Sequence, residues 1–114
     1  MKITRLAPAF CVSDQLQPED LPRVREAGYR AVINNRPDGE EDGQPTSAQL
    51  SAEADKLGLS YFHIPIVPGQ MSDEDAVALK NAAAAAGPVL AFCRTGARST
   101  SLWKRSVELA DSSE

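Results

Sequence analysis

The chemistry available to this chain is concentrated in one short stretch, Cys93-Arg94-Thr95-Gly96-Ala97-Arg98, followed by Ser99. It lies between the apolar run Val89-Leu90-Ala91-Phe92 and a segment of helical character, so the thiol falls where a buried strand ends and a helix begins. Unpaired backbone N–H groups and the positive end of the helix dipole meet there, and both favour negative charge on sulfur. Arg94 and Arg98 add positive charge, and Gly96 lets the loop curl so that successive N–H groups turn inward as an anion nest. The thiolate is the reactive form of cysteine. The pattern therefore predicts Cys93 and Arg98 as the catalytic pair. Arg94, Thr95, Gly96, Ala97 and Ser99 form the expected anion- or substrate-binding set, Ser99 through a hydrogen bond to the sulfur. Arg36 is a further candidate, read either as a second basic contact or as half of a turn clasp paired to an acid in Arg36-Pro37-Asp38-Gly39-Glu40.

Other reactive side chains lack this setting. Cys11 reads as a small buried hydrophobe. His63, the only histidine, falls in a predicted strand and is expected to pack or bond locally. Leu102 and Trp103 read as core residues of the last helix. No Cys, His and carboxylate cluster has ligand spacing, so neither a metal nor a cofactor is expected.

The elements needed to place Cys93 are readable from periodicity. Strands are predicted over 3–6 and 10–13 as an opening pair, then over 29–34, 59–64 and 89–92. Helices are predicted from Pro18 to a stop at Gly28, from Thr46 or Ser47 through Leu57, and from a Ser72 cap through Ala86. The last runs from Arg98 or Ser99 through Leu109. Residues 35–45 and 65–71 are loops. Strands alternating with helices predict an α/β fold whose mainly parallel central sheet is covered by helices on both faces. In such sheets the functional crevice lies beyond the carboxyl ends of the strands, where Asn34-Asn35-Arg36, Pro65-Ile66 and Cys93 all fall.

A length of 114 residues with 42% hydrophobic content suits one domain, expected over 1–110 with a frayed tail over 111–114. The net charge of -4 and scattered basic residues argue against a nucleic-acid partner. No apolar run has membrane-spanning length and the first residues lack a secretory pattern, so no membrane partner and a cytoplasmic location are expected. The two cysteines are then expected as reduced thiols.

Several segments together resemble the phosphatase-like domain found beside metallo-β-lactamase-fold proteins named β-lactamase hydrolase-like. They are Val32-Ile33-Asn34-Asn35-Arg36-Pro37-Asp38-Gly39-Glu40, Tyr61-Phe62-His63-Ile64-Pro65-Ile66, Gly87-Pro88-Val89-Leu90-Ala91-Phe92, and Cys93 to Ser99 with Leu102-Trp103. The resemblance implies a fold like that of protein-tyrosine and dual-specificity phosphatases, with activity assigned variously to phosphatases and sulfurtransferases. It also implies work beside a persulfide dioxygenase.

Counting residues separates those two activities. Tyrosine-phosphatase-like enzymes place five residues between Cys and Arg, usually with His before the Cys; here four separate Cys93 from Arg98, and Phe92 precedes. The shorter loop is similar to that of rhodanese-type sulfurtransferases. Phosphatases also need an acid for the leaving oxygen. The loop over 65–71 has none, Asp73 is the first carboxylate after it, and Asp38 or Glu40 would have to substitute. Sulfane-sulfur transfer through a Cys93 persulfide is therefore the favoured expectation, with an anionic donor such as thiosulfate or glutathione persulfide and a thiol acceptor. Phosphate-ester hydrolysis through a Cys93 thiophosphate is the alternative. A non-catalytic anion- or protein-binding module is the third.

Overall fold

Five strands form one sheet, in the order Ile3–Ala7, Phe10–Ser13, Val89–Phe92, Ala31–Asn34 and Ser60–His63, and the central one is wholly apolar. The computed structural model describes residues 1–112. The expected opening pair, β1 (Ile3–Ala7) and β2 (Phe10–Ser13), is antiparallel and turns at Pro8-Ala9. The strands β3 (Ala31–Asn34), β4 (Ser60–His63) and β5 (Val89–Phe92) then run parallel to β2. The predicted α/β class with a mainly parallel sheet is the architecture found.

Every residue of β3 and β5 is buried because helices cover both faces. Side chains alternate across a strand, so each strand feeds two cores. On one face Val32, Leu90 and Phe92 pack with Leu21 and Val24 of α1 (Leu21–Glu26) and Leu50 and Ala54 of α2 (Ser47–Lys56). On the other, Ala31, Ile33, Val89 and Ala91 pack with Ala76 and Leu79 of α3 (Asp73–Ala86) and Leu102 of α4 (Ala97–Ser112). Trp103 joins this second core and stacks on Phe10, their rings 6.2 Å apart.

Helix starts follow local chemistry. Thr46 and Ser72 cap α2 and α3, each accepting from the backbone three residues on while Gln49 and Asp75 reach back. The helix expected from Pro18 enters instead through a 3-10 turn, Pro18–Asp20. Pro22 has no N–H to return to the Pro18 carbonyl, and Leu21 N–H takes that carbonyl one residue early. The last helix starts at Ala97, before the expected Arg98, and continues to Ser112, into the segment expected to fray; residues 113 and 114 lie outside those described. Among the described residues no helix is long and apolar enough to cross a membrane.

The register brings four strand ends level: Ser13 pairs with Phe92, Phe92 with Asn34, and Asn34 with His63. The chain segments after these residues leave the sheet at one edge. There Asn35 N–H donates to the Phe92 carbonyl, Ile66 N–H to that of Asn35, and Gln15 N–H to that of Arg94.

Candidate active site

Cys93 is 1% exposed at the centre of this edge. Burial alone pushes a thiol pKa up, but the N–H groups of Ser99, Thr95, Arg98 and Gly96 turned toward the sulfur outweigh it and hold the pKa below its ordinary value. Gly96 N–H is the clearest of these donors, 3.1 Å from Sγ. The curl requires glycine at 96, where φ is +96° and a Cβ would stand 3.3 Å from the Ser13 carbonyl oxygen. Ala97 N–H turns instead to Thr95 Oγ1 at 3.2 Å, at the start of α4.

Ser99 serves the sulfur through its backbone N–H, while its hydroxyl donates to Asn35 Oδ1 at 2.8 Å. Asn35, fully buried, donates in turn to the Ile64 carbonyl at 2.9 Å and so ties α4 to the chain beyond β3 and β4. The sequence offered only the polar pair Asn34-Asn35 at the end of a buried strand as a sign of this role. Arg94 is exposed beside the loop, with its carbonyl held by Gln15.

Arg98 is held by Glu40, Nη1 donating to Oε2 at 2.8 Å and Nη2 to Oε1 at 2.9 Å, and its pKa is raised first by Glu40 and also by Cys93. Arg36 takes the clasp role rather than the anion contact. It is 1% exposed, with Nε donating to Glu40 Oε1 at 2.8 Å, Nη1 to Gln15 Oε1 at 2.9 Å, and Nη2 3.1 Å from Glu41 Oε1. Two carboxylates and an amide are what allow a guanidinium to be buried there. Gln15 was missed by sequence reasoning, since nothing local marks a partner so far along the chain. His63 bonds the Arg36 carbonyl at 2.9 Å; a carbonyl only accepts, so His63 Nε2 carries the hydrogen. It supports the clasp and does not reach the thiol.

None of the three candidate acids stands ready to protonate a leaving oxygen. Hydrogen bonds from Arg98, with further ones from Arg36, outweigh burial and hold Glu40 down at about 2, so it is anionic at neutral pH. Asp38 Oδ1 accepts from Ser47 N–H at 2.8 Å at the start of α2. Asp73 bridges Arg105 on α4 at 2.7 and 3.0 Å, which lowers its pKa. Among the described residues no group of three or more His, Cys, Asp or Glu side chains is placed to hold a metal ion. What the arrangement can do is keep a thiolate at the bottom of an anion-accepting ring, beside an arginine fixed from behind.

Several known proteins are similar to this chain in sequence or in fold. A curated β-lactamase hydrolase-like protein from Agrobacterium fabrum is 35% identical over 104 residues, which cover 90% of this chain. The chain spans only 24% of that relative's length. A solved structure of a proposed phosphatase from Neisseria meningitidis superposes with a TM-score of 0.79 at 34% identity, covering 87% of this chain and 71% of that one. The core catalytic domain of the PP-IP phosphatase Siw14 from S. cerevisiae, solved with citrate, shares the fold with a TM-score of 0.63 at 12% identity, over 82% of this chain and 56% of that one. The fold is thus that of the protein-tyrosine and dual-specificity phosphatases. With residues 2–110 matching its family model, the chain belongs to the β-lactamase hydrolase-like protein, phosphatase-like domain family.

Proposed function

We propose that this domain is a cysteine-dependent hydrolase of phosphate esters. One observation carries the reading: backbone N–H groups turned toward the Cys93 sulfur lower its pKa despite burial, and the charge of Arg98 is close enough to feel the sulfur. The thiolate attacks phosphorus, an S–P bond forms as the P–O bond to the leaving group breaks, and water then cleaves S–P to return the thiolate and inorganic phosphate. The ring of N–H groups and Arg98 stabilise the charge gathered on the phosphoryl oxygens. The family description and the similarity to phosphatases support this order over the sulfur transfer favoured from the sequence. With Glu40 and Asp73 committed to arginines, the leaving oxygen must depart without an internal acid. Activated esters of acidic alcohols and phenols are therefore the substrate class.

A second reading, sulfane-sulfur transfer from thiosulfate or glutathione persulfide to a thiol, is supported by a specific observation. Only four residues separate Cys93 from Arg98, and a sulfane donor needs no acid. Intact-mass measurement separates the two. A gain of about 80 Da on Cys93 during turnover of an aryl phosphate, lost in Cys93→Ser, marks the phosphoryl intermediate. A gain of about 32 Da from thiosulfate, removable by thiol and without phosphate release, reverses the order.

A further inference from the structure

A trans peptide unit is planar, with its C=O and N–H on opposite sides, so whatever holds the carbonyl also aims the N–H. The unit between Arg94 and Thr95 is held in this way. Its carbonyl accepts from Gln15 N–H at 3.2 Å, and its N–H is among the groups turned to the Cys93 sulfur. Gln15 lies two residues beyond the end of β2, outside any strand or helix, so no ladder fixes its backbone. Its side chain does. Oε1 accepts from Arg36 Nη1 at 2.9 Å, while Nε2 donates to the Leu16 carbonyl at 2.8 Å, and both Arg36 and Leu16 are buried. Only a side-chain amide offers an acceptor and a donor at one tip of this length; a carboxylate or an ammonium offers one kind alone. The same stretch of chain sets the Ser13 carbonyl against Gly96, so residues 13–15 meet the Cys93 loop at two points.

We propose that Gln15 is a positioning residue for the anion ring: tied to buried Arg36, it holds the Arg94 carbonyl away from the sulfur and so turns Thr95 N–H in toward Cys93. The inference deepens the function proposed above and rests on its thiolate, which phosphate-ester hydrolysis and sulfur transfer both require. An N–H aimed at an anion is a charge-assisted donor and stabilises more than one aimed at a neutral group. Released from Gln15, the peptide unit can turn over, and the partial negative charge of its carbonyl then faces the sulfur in place of the N–H. The donors at Gly96, Arg98 and Ser99 remain, so the expected effect is a weakened thiolate and not a lost one. Arg98 and Glu40, the charged pair beside the loop, are unaltered by a change at Gln15.

The test is the pH dependence of Cys93 alkylation by iodoacetamide in the full chain, read by peptide mass spectrometry so that Cys11 is counted separately. The parent is compared with Gln15→Pro, Gln15→Met and Val24→Ala. Gln15→Pro deletes the N–H together with the amide, and Gln15→Met keeps the N–H but cuts both side-chain hydrogen bonds at similar length. Val24→Ala removes core volume toward the opposite end of the sheet, where Tyr29 N–H takes the Val24 carbonyl. Below the parent's thiol pKa, alkylation is expected to slow about tenfold in Gln15→Pro and about threefold in Gln15→Met. The rates converge at alkaline pH, where every variant is a thiolate, and Val24→Ala keeps the parent's profile. A folded Gln15→Pro with the parent's profile, or with alkylation slowed equally at every pH, overturns the proposal. Should Gln15→Pro not fold, Gln15→Met decides alone, and a parent-like profile there overturns it as well. A Val24→Ala profile displaced as far as those of the Gln15 variants also overturns it, because lost stability alone would then account for the shift. An ordinary thiol profile for Cys93 in the parent protein defeats the thiolate of the proposed function first and takes this inference with it.

Discussion

The two cysteines of this chain lie toward opposite ends of the same sheet, and their surroundings differ in one respect. Around Cys93, beyond the carboxyl end of β5, four backbone N–H groups face the sulfur and lower its pKa despite burial. Cys11 lies in β2, where the register sets it against Leu90, among Arg5, Tyr29 and Pro88 around a cavity of about 410 Å³. The acid beside it, Tyr29, is pushed up to about 12, first by burial and then by its contact with Cys11. One end of the sheet favours an anion and the other keeps its neighbouring phenol neutral. The lesson is that thiol reactivity here depends on the supply of N–H donors where a strand passes into a helix, and not on burial.

Exchanging the thiols gives the largest expected contrast. Cys93→Ser is expected to lower aryl-phosphate turnover by roughly a thousandfold or more, whereas Cys11→Ser keeps it within about twofold; steady-state rates of both variants decide it. If Cys11→Ser is equally inactive, the contrast between the two ends is broken. Next in size, Arg98→Ala is expected to reduce kcat/KM by about a hundredfold while leaving the far-ultraviolet circular dichroism unchanged. An unfolded variant would instead make Arg98 a structural strut.

Gly96→Ala sharpens the comparison at the backbone. A φ of +96° and a close Ser13 carbonyl should cost about 1–3 kcal/mol in urea unfolding, and the Cys93 pKa should rise as the Gly96 N–H turns away. The smallest effect is read in the unmodified protein by following the alkylation of each cysteine with pH. A lowered pKa means Cys93 remains thiolate below the ordinary thiol range and loses reactivity only as pH falls through its own depressed value. Glu40 has the same sign. Its ion pairs contribute stability that is complete above the ordinary carboxylate range and fades as pH falls toward about 2, measurable as acid-induced loss of the protection that phosphate gives Cys93 against alkylation.

Much of the fold was legible because each strand and helix announces itself within a few residues. Val89-Leu90-Ala91-Phe92 cannot be exposed, and Ser72 followed by Asp73-Glu74-Asp75 is a helix start on local chemistry alone. The Cys93 loop was legible for the same reason. What escaped was the set of polar partners joined across the sheet edge. Arg98 meets Glu40 and Ser99 meets Asn35 across most of the chain, and Arg36 is buried only because Gln15, Glu40 and Glu41 converge on it. Periodicity carries no information on such pairs. The sequence therefore offered Arg36 an acid within its own turn and placed Glu40 and Ser99 near the chemistry, but could not give these two their partners across the edge.

The strand order bears on when the thiol becomes reactive. β5 is the last strand in the chain yet third in the sheet, so the slot between β2 and β3 is filled by the strand farthest along the sequence. Pairings this distant in sequence form late because the intervening chain must first be closed. Until β5 fills the slot, no helix start faces Cys93 and Gly96 has no Ser13 carbonyl to curl against. A nascent or unfolded chain therefore carries an ordinary thiol, and completion of the sheet is itself the arming step. Protein that has not finished folding lacks the N–H donors that lower the pKa of this sulfur.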